Sequence, residues 1–183
     1  TVFKRLWTIW ALRSITTELK IPLYNSIVLP TALYACETWK RTANIAHKID
    51  VFHQRCLRRI LRISYRDHVT NEEVLKRAKS NPLSSTVTER RLKFAGHTLR
   101  RPRHCHANVA MRWIPPGGKR KRGRPRKTWR RTFDEDLRQL NIEPDDVEKI
   151  AEDRVVWREL AARCALPYGT HIYETYMKHI RNI

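Results

Sequence analysis

The carboxylates of this chain are the first candidates for catalysis, and their spacing argues against an active site. Asp134–Asp136 falls on the polar face of a helical pattern, which predicts a solvated surface. Asp145 and Asp146 stand where acidic residues favour the N-terminus of a helix. The sequence has neither a glycine-rich phosphate-binding loop nor a Gly-x-Ser-x-Gly motif. We therefore expect no catalytic residue in this chain.

Histidines and a cysteine come close together at His97 and at His104–His106. Zinc sites usually take four ligands from two short-spaced pairs. Adjacent side chains diverge, and no second cysteine pair follows, because Cys164 is remote in the sequence. We expect no metal site, and His104 and His106 better suit contacts with phosphate or water.

Positive charge is the strongest chemical signal in the sequence. The net charge is +20, and residues 90–131 hold sixteen Lys/Arg and no Asp or Glu. The densest part, Lys119–Arg131, has nine Lys/Arg in thirteen residues. Such side chains repel one another and are costly to desolvate, so the run predicts a polyanionic partner. Nucleic acid is favoured over an anionic membrane, and the apolar stretch Ile21–Ala35 is too short to span a bilayer.

We expect the cations of this acid-free zone (residues 90–131) to contact phosphates. The candidates in the basic run are Lys119, Arg120, Lys121, Arg122, Arg124, Arg126, Lys127, Arg130 and Arg131. Those on the preceding helix and at its exit are Arg90, Arg91, Lys93, Arg100, Arg101 and Arg103. An earlier basic face, formed by Arg55, Arg58, Arg59 and Arg62, fits phosphate contact and a solvated surface equally well.

The segment Arg122–Arg126, Arg-Gly-Arg-Pro-Arg, is similar to the core of an AT-hook. Such a core lies along a narrow minor groove, whose negative potential attracts arginine. A solvated linker and a nuclear import signal are the alternatives. Trp113 and Trp129 flank the run and could stack on unpaired bases, although Trp129 also belongs to an apolar helical face.

The elements that must position these residues are all predicted to be helices. We expect an all-α chain, in which a helical bundle is followed by a basic irregular linker and a C-terminal helical hairpin. The predicted parts are N-terminal helices at 1–65, a helical extension completing the bundle at 66–104, the linker at 105–128, the hairpin at 129–166 and a tail of uncertain structure at 167–183. The clearest amphipathic helix runs from Ile45 to Ile60.

Local signals predict where several helices begin. Pro22 is expected to open one helix and Pro30 to kink it. The spacings Thr70–Glu73 and Thr86–Glu89 are typical of capping boxes, and each predicts a helix start. Pro144 is expected to begin a single helix that extends to Cys164. Gly96 should weaken its helix slightly.

The four cysteines lack the paired spacing of a disulfide framework, which favours a reducing intracellular environment. The first residue is Thr, and the apolar pattern is already under way there. We expect a piece of a longer protein.

Five blocks in order resemble the C-terminal region of the endonuclease–reverse transcriptases of non-LTR retrotransposons, particularly the RTE-like group. They are LYNSIVLPTALYACETW (Leu23–Trp39), FHQRCLRRILRI (Phe52–Ile63), RRLKFAGHTLRR (Arg90–Arg101), GKRKRGRPRKTWRR (Gly118–Arg131) and DRVVWREL (Asp153–Leu160). The resemblance covers about residues 1–165, and the tail after Pro167 departs from the pattern.

The resemblance implies a parent protein that nicks DNA and copies the element's RNA from the nick. This chain lacks the Tyr-x-Asp-Asp motif of the polymerase, so neither the activity nor its Mg²⁺ can be assigned to it. Residues 1–65 would be thumb helices beside an upstream polymerase palm, and the rest a basic extension. The implied location is nuclear, with synthesis and RNA assembly in the cytoplasm.

The expected function is therefore a non-catalytic grip on template RNA, RNA–DNA hybrid or target DNA through the phosphate backbone. An AT-hook-type DNA-binding protein and a structural interaction module with an import-like basic run are the alternatives. The sequence leaves the choice of RNA or DNA, and the oligomeric state, open.

Overall fold

The computed structural model describes residues 2–113 and 127–164, and every regular element within these ranges is helical, with no strand. The all-α prediction is confirmed. The chain divides into two compact units. Unit 1 comprises Thr1–Cys36 and Ala43–Ser84, and unit 2 comprises Glu37–Thr42 and the described residues from Ser85 onward. These divisions differ from the five predicted segments, which remain a prediction.

Unit 1 is built from short helices around one long one. Its helices are α1 (Val2–Arg5), α2 (Trp7–Ala11), α3 (Thr17–Leu23), α4 (Leu29–Ala32), α5 (Ala43–Leu61) and α6 (Asn71–Arg77). A π-helical turn spans Tyr24–Val28, and 3₁₀ turns span Cys36–Thr38, at the junction with unit 2, and Tyr65–Asp67. The buried core contains Trp10, Tyr24, Val28, Cys56, Leu57, Ile60, Val74 and Ala78.

Helix α5 confirms the strongest periodic prediction, since it buries the face that carries Cys56, Leu57 and Ile60. The prediction for Pro22 was wrong. Successive elements keep the chain helical from Thr17 to Ala32, so Pro22 lies inside α3. The π-helical turn directly precedes α4, which carries Pro30 near its start, and a proline ring is easier to place there because the backbone ladder is already shifted.

The start of helix α7 (Leu83–Leu99) also differs from the prediction. We expected Thr86 to cap it, but the helix begins three residues earlier. The carboxylate of Asp50, on α5, accepts a hydrogen bond from the backbone N–H of Ser84 at 2.9 Å. A cap supplied by another helix leaves no signal in the local sequence. The predicted Thr70 cap is confirmed, because its hydroxyl accepts the N–H of Glu73.

Several buried polar side chains of unit 1 have hydrogen-bond partners within the unit. The hydroxyl of Tyr24 lies 2.9 Å from Nδ1 of His53, and Nε2 of His53 lies 3.0 Å from the hydroxyl of Ser80. Burial lowers the pKa of His53 to about 4 and raises that of Cys56 to about 11. The buried Lys20 amine donates to the carbonyls of Trp10 and Leu12, where α2 ends.

Unit 2 joins α7, from Ser85 onward, to the C-terminal helices. Its further helices are α8 (His106–Arg112), α9 (Trp129–Gln139), α10 (Val147–Glu152) and α11 (Arg154–Arg163). The single predicted helix through residues 147–164 is broken at Asp153, whose carboxylate caps α11 by accepting the N–H groups of Val155 and Val156.

The core of unit 2 shows where α7 belongs. Leu92 and Ala95 of α7 pack in one cluster with Phe133, Leu137, Ile142, Val147, Ala151, Trp157, Leu160 and Ala161. The sequence grouped this helix with the N-terminal bundle, because its apolar pattern shows that one face is buried but not against which partner.

Gly96 lies where the indole of Trp157 rests on the backbone of α7. The indole N–H of Trp157 donates to the carbonyl of Leu92 at 2.8 Å. A Cβ added at Gly96 would overlap the indole ring. The glycine is therefore required by a close approach, and its cost to the helix is secondary.

Gly96→Ala should lower the free energy of unfolding by about 1–3 kcal/mol, because the added methyl overpacks the core. Helix propensity alone predicts the opposite sign, a gain of about 1 kcal/mol. Urea unfolding followed by circular dichroism measures the change. Lys93→Ala, at an exposed position of the same helix, is the control and should change stability by less than about 0.5 kcal/mol. A stabilised Gly96→Ala variant would contradict the indole contact.

The low pKa of His53 predicts a stability that depends on pH. The unfolded chain binds its proton near pH 6.5 and the folded chain only near 4, so the unfolded state holds more protons between these values. The free energy of unfolding should rise from pH 4 to pH 6.5 and then level off, a change on the order of 3 kcal/mol.

Urea titrations at several pH values measure this contribution in wild type and in His53→Gln, which lacks the titrating group. Carboxylates affect both proteins alike, so the difference between the two curves isolates His53. Curves that stay parallel from pH 4 to pH 7 would show that His53 contributes nothing.

Candidate nucleic-acid interface

The structure describes nine of the fifteen candidate phosphate contacts. Six candidates lie outside the described residues: Lys119, Arg120, Lys121, Arg122, Arg124 and Arg126. The AT-hook-like segment is among them. The described candidates all belong to unit 2, on α7, at its exit, and around the start of α9.

Arg91 is not available as a phosphate contact, contrary to the prediction. Its side chain is completely buried, and Nη1 forms an ion pair with Oδ2 of Asp136. A phosphate cannot reach this guanidinium in the folded unit. The expectation that Asp136 lies on a solvated face was also wrong, because Asp136 is fully buried on α9.

The buried pair is extended by a second arginine. Nη1 of Arg41 lies 3.5 Å from Oδ1 of Asp136, and the backbone N–H of Arg41 donates to the hydroxyl of Thr132 at 3.1 Å. Burial raises the pKa of Asp136, and the positive charges of Arg91 and Arg41 oppose that rise. Nε and Nη2 of Arg91 are buried without a hydrogen-bond partner in the described part of the chain.

The two tryptophans that flank the basic run have different environments. The indole N–H of Trp129 donates to the carbonyl of Glu37 at 2.7 Å, and its ring stacks on Phe133 with centroids 5.4 Å apart. These contacts favour the core interpretation of Trp129. Trp113 follows α8 with 61% of its surface exposed, so it stays a stacking candidate.

Several candidate cations are paired with acids from outside the acid-free zone. Lys93 lies 2.6 Å from Glu89, and Lys127 lies 2.5 Å from Glu135. Both pairs join exposed or half-buried side chains. Exposed ion pairs of this kind contribute about 0–1 kcal/mol to stability, so a phosphate can replace the acid at little cost.

Glu148 holds two arginines at once. Its carboxylate lies 3.0 Å from Nη2 of Arg103 and also pairs with Arg112. The hydrogen bond from Arg112, together with the charges of both arginines, lowers the pKa of Glu148. Its position in the sequence, on α10, gives no sign of this role.

Arg100 is tied to the same helix. Its guanidinium donates to the carbonyl of Ala151 at 2.7 Å, at the C-terminal end of α10. Burial and the neighbouring charge of Arg154 lower the pKa of Arg100. Arg100 therefore has a structural contact of its own, and it is less available than Arg101 and Arg103, which are exposed.

The remaining candidates keep their charge unpaired. Arg90, Arg101, Arg130 and Arg131 form no ion pair in residues 2–113 and 127–164. Arg101 and Arg130 are exposed, and the other two are half-buried. These side chains, with the exposed paired cations, are the described groups able to meet a phosphate backbone.

The earlier basic face in unit 1 is largely committed to structure. Nη2 of Arg58 donates to the carbonyl of Val69 at 2.7 Å. The guanidinium of Arg59 lies 4.1 Å from the ring centroid of Trp7. Nη2 of Arg62 donates to the carbonyl of Ala11 at 2.9 Å. Three of the four arginines are therefore held by contacts within unit 1, which neither phosphate contact nor a solvated surface had predicted.

Neither a metal-ligand cluster nor a membrane-spanning helix is found in the described residues. They contain no group of three or more His, Cys, Asp or Glu side chains arranged to hold a metal ion. None of the helices in the described ranges is long and apolar enough to cross a membrane.

Comparison with known proteins gives one informative relative. The chain is 27% identical over 155 residues to a transposon-derived protein of Caenorhabditis elegans, itself uncharacterized. The similarity fits a transposon origin. The match covers 80% of this chain and 55% of the relative, so the chain spans about half the length of that protein. No family model matches the sequence, and no solved structure matches it.

Asp136→Asn should lower the free energy of unfolding by about 3–5 kcal/mol, because it leaves the Arg91 charge buried without a counter-ion. Chemical denaturation measures the loss. Glu148→Gln is a matched control, since it also removes a carboxylate that pairs with two arginines, but at an exposed site worth less than about 1 kcal/mol.

The double variant Arg91→Met with Asp136→Leu should recover much of the lost stability, because both charges leave the core together. Equal costs for Asp136→Asn and Glu148→Gln would contradict a buried pair.

Proposed function

We propose that this chain is the non-catalytic nucleic-acid-binding C-terminal segment of an RTE-like non-LTR retrotransposon reverse transcriptase. The observation that carries the proposal is the zone of sixteen Lys/Arg without an acid in residues 90–131. The five ordered sequence blocks and the transposon-derived relative support the parentage.

The proposed binding mode uses the phosphate backbone rather than the bases. Exposed arginines and lysines on α7, at its exit and at the start of α9 offer positive charge to a polyanion. Contacts of this type position a nucleic acid without reading its sequence. Template RNA, RNA–DNA hybrid and target DNA all present the required polyanion.

In the proposed binding mode, phosphates replace the carboxylates that pair with the surface cations in the free protein. When a phosphate approaches, Lys93 and Lys127 release Glu89 and Glu135 to water. Arg103 releases Glu148, which stays paired with Arg112. The pairs keep the cations ordered on the surface before the nucleic acid arrives. They also neutralise part of the local positive charge on the surface of the free protein.

The rest of the proposal concerns the parent protein. The polymerase and endonuclease chemistry, with its Mg²⁺, would belong to upstream domains, and the helices of residues 1–65 would lie beside the polymerase palm. We propose a nuclear site of action after synthesis and RNA assembly in the cytoplasm.

Binding of an RNA or DNA oligonucleotide by the whole chain should depend steeply on salt. If the chain makes about six to ten phosphate contacts, raising the salt from about 50 to 200 mM should weaken the affinity by about 10³- to 10⁵-fold. Replacing Arg122, Arg124 and Arg126 together by Ala should reduce the slope of log affinity against log salt by about 3. Fluorescence anisotropy measures both quantities.

The control variant replaces Arg13, Lys48 and Lys76, three exposed cations of unit 1, and should keep the wild-type slope. Circular dichroism checks that helix content is unchanged in both triple variants. A nearly flat salt dependence in the wild-type protein would contradict the proposal, and so would equal slopes for the two variants.

A second candidate function rests on the Arg-Gly-Arg-Pro-Arg segment at residues 122–126. A true AT-hook would prefer A·T-rich duplexes, because the narrow groove concentrates negative potential. Competition between A·T-rich and G·C-rich duplexes separates the two candidates. Strong A·T preference favours the hook, and equal competition favours the backbone grip.

A further inference from the structure

Helix α7 presents one face to solvent in unit 2, and this face combines charge with an aromatic ring. Lys93, Phe94 and His97 lie three, four and seven residues after Arg90, so the four share one side of the helix, and Arg101 follows just beyond the helix end at Leu99. The opposite side is the one that buries Arg91, Leu92, Ala95 and Thr98. We call the exposed set the outer face of α7.

Contacts within the outer face fix where its side chains lie. Nη2 of Arg101 is 3.2 Å from Nε2 of His97. A guanidinium can only donate, so this nitrogen of His97 accepts and holds Arg101 beside it. Lys93 is held in the same way by Glu89, four residues earlier. These two contacts place the side chains of Lys93 and Arg101 on the outer face.

Phe94 is the apolar member of this polar face, and 39% of its surface is exposed. A single exposed apolar residue is ordinary by itself. The position of Phe94 between cations is what indicates a binding role. Arg90 lies one turn before it, and His97, which holds Arg101, lies one turn after it. A ring flanked by cations along a surface is the arrangement that proteins use to bind unpaired strands.

We propose that the outer face of α7 binds single-stranded nucleic acid, with a base stacked on Phe94 and the adjoining phosphates at Arg90, Lys93 and Arg101. The inference rests on the proposed function and adds a preference for single strands. Base faces are open in a single strand, whereas in a duplex they are covered by their neighbours. The charge complementarity comes from three cations against one acid, Glu89, which Lys93 releases on binding.

The test compares Phe94 variants of the whole chain for binding to an unstructured oligouridine and to an RNA duplex of equal length. Loss of one stacked base should weaken single-strand binding by about 5- to 150-fold in Phe94→Ala. Phe94→Leu should be weakened as well, since it keeps apolar bulk but has no ring face. Phe94→Tyr should bind like wild type. Duplex binding should be the same in all four proteins.

Val155→Ala is the matched control, because Val155 is an exposed apolar residue of another helix in unit 2. It should leave both affinities unchanged. Wild-type single-strand affinity retained in Phe94→Ala would overturn this inference and leave the proposed function standing. Equal losses on single strand and duplex would also overturn it. A wild-type chain that binds neither nucleic acid would overturn the proposed function and this inference together.

Discussion

The buried ion pair between Arg91 and Asp136 is the constraint on which unit 2 depends. It places a full positive and a full negative charge in a core where neither is tolerable alone. The pair links α7 to α9, and Arg41 extends it to the segment Glu37–Thr42. Any packing of these elements that separated the charges would leave both uncompensated, so the pair restricts how the elements fit together.

The apolar contacts of unit 2 also hold α7 against the C-terminal helices. Gly96 allows the indole of Trp157 to lie against the backbone of α7, and Leu92 supplies the carbonyl that its N–H requires. Asp136 of α9 holds α7 through the ion pair, and Trp157 of α11 holds it through the indole. The outer face of α7 therefore keeps one orientation within unit 2. That face carries the ring of Phe94 among cations, so the packing of the interior determines which side chains meet a ligand.

The charge around the acid-free zone differs between the sequence and the folded structure. The zone of residues 90–131 contains no acid, yet Glu89, Glu135 and Glu148 reach into it from outside and pair with its cations. The surface is less uniformly positive than the sequence indicates. Exposed pairs are weak, so they would yield to the phosphate contacts that we propose, and they partly neutralise the unbound surface.

The sequence by itself determined the helical class, most helix positions and the excess of positive charge, because helix formation and net charge depend on local pattern and composition. It located α5 and α9 through their apolar periodicity and the Thr70 cap through its spacing.

Only the tertiary structure decided which of the candidate arginines is buried, since Arg90 and Arg91 look alike in the sequence. Asp136, the partner of Arg91, lies 45 residues away in the sequence. Asp50, which accepts the N–H of Ser84 at the start of α7, lies 34 residues away on another helix. Contacts over such distances arise from packing, and no local pattern records them.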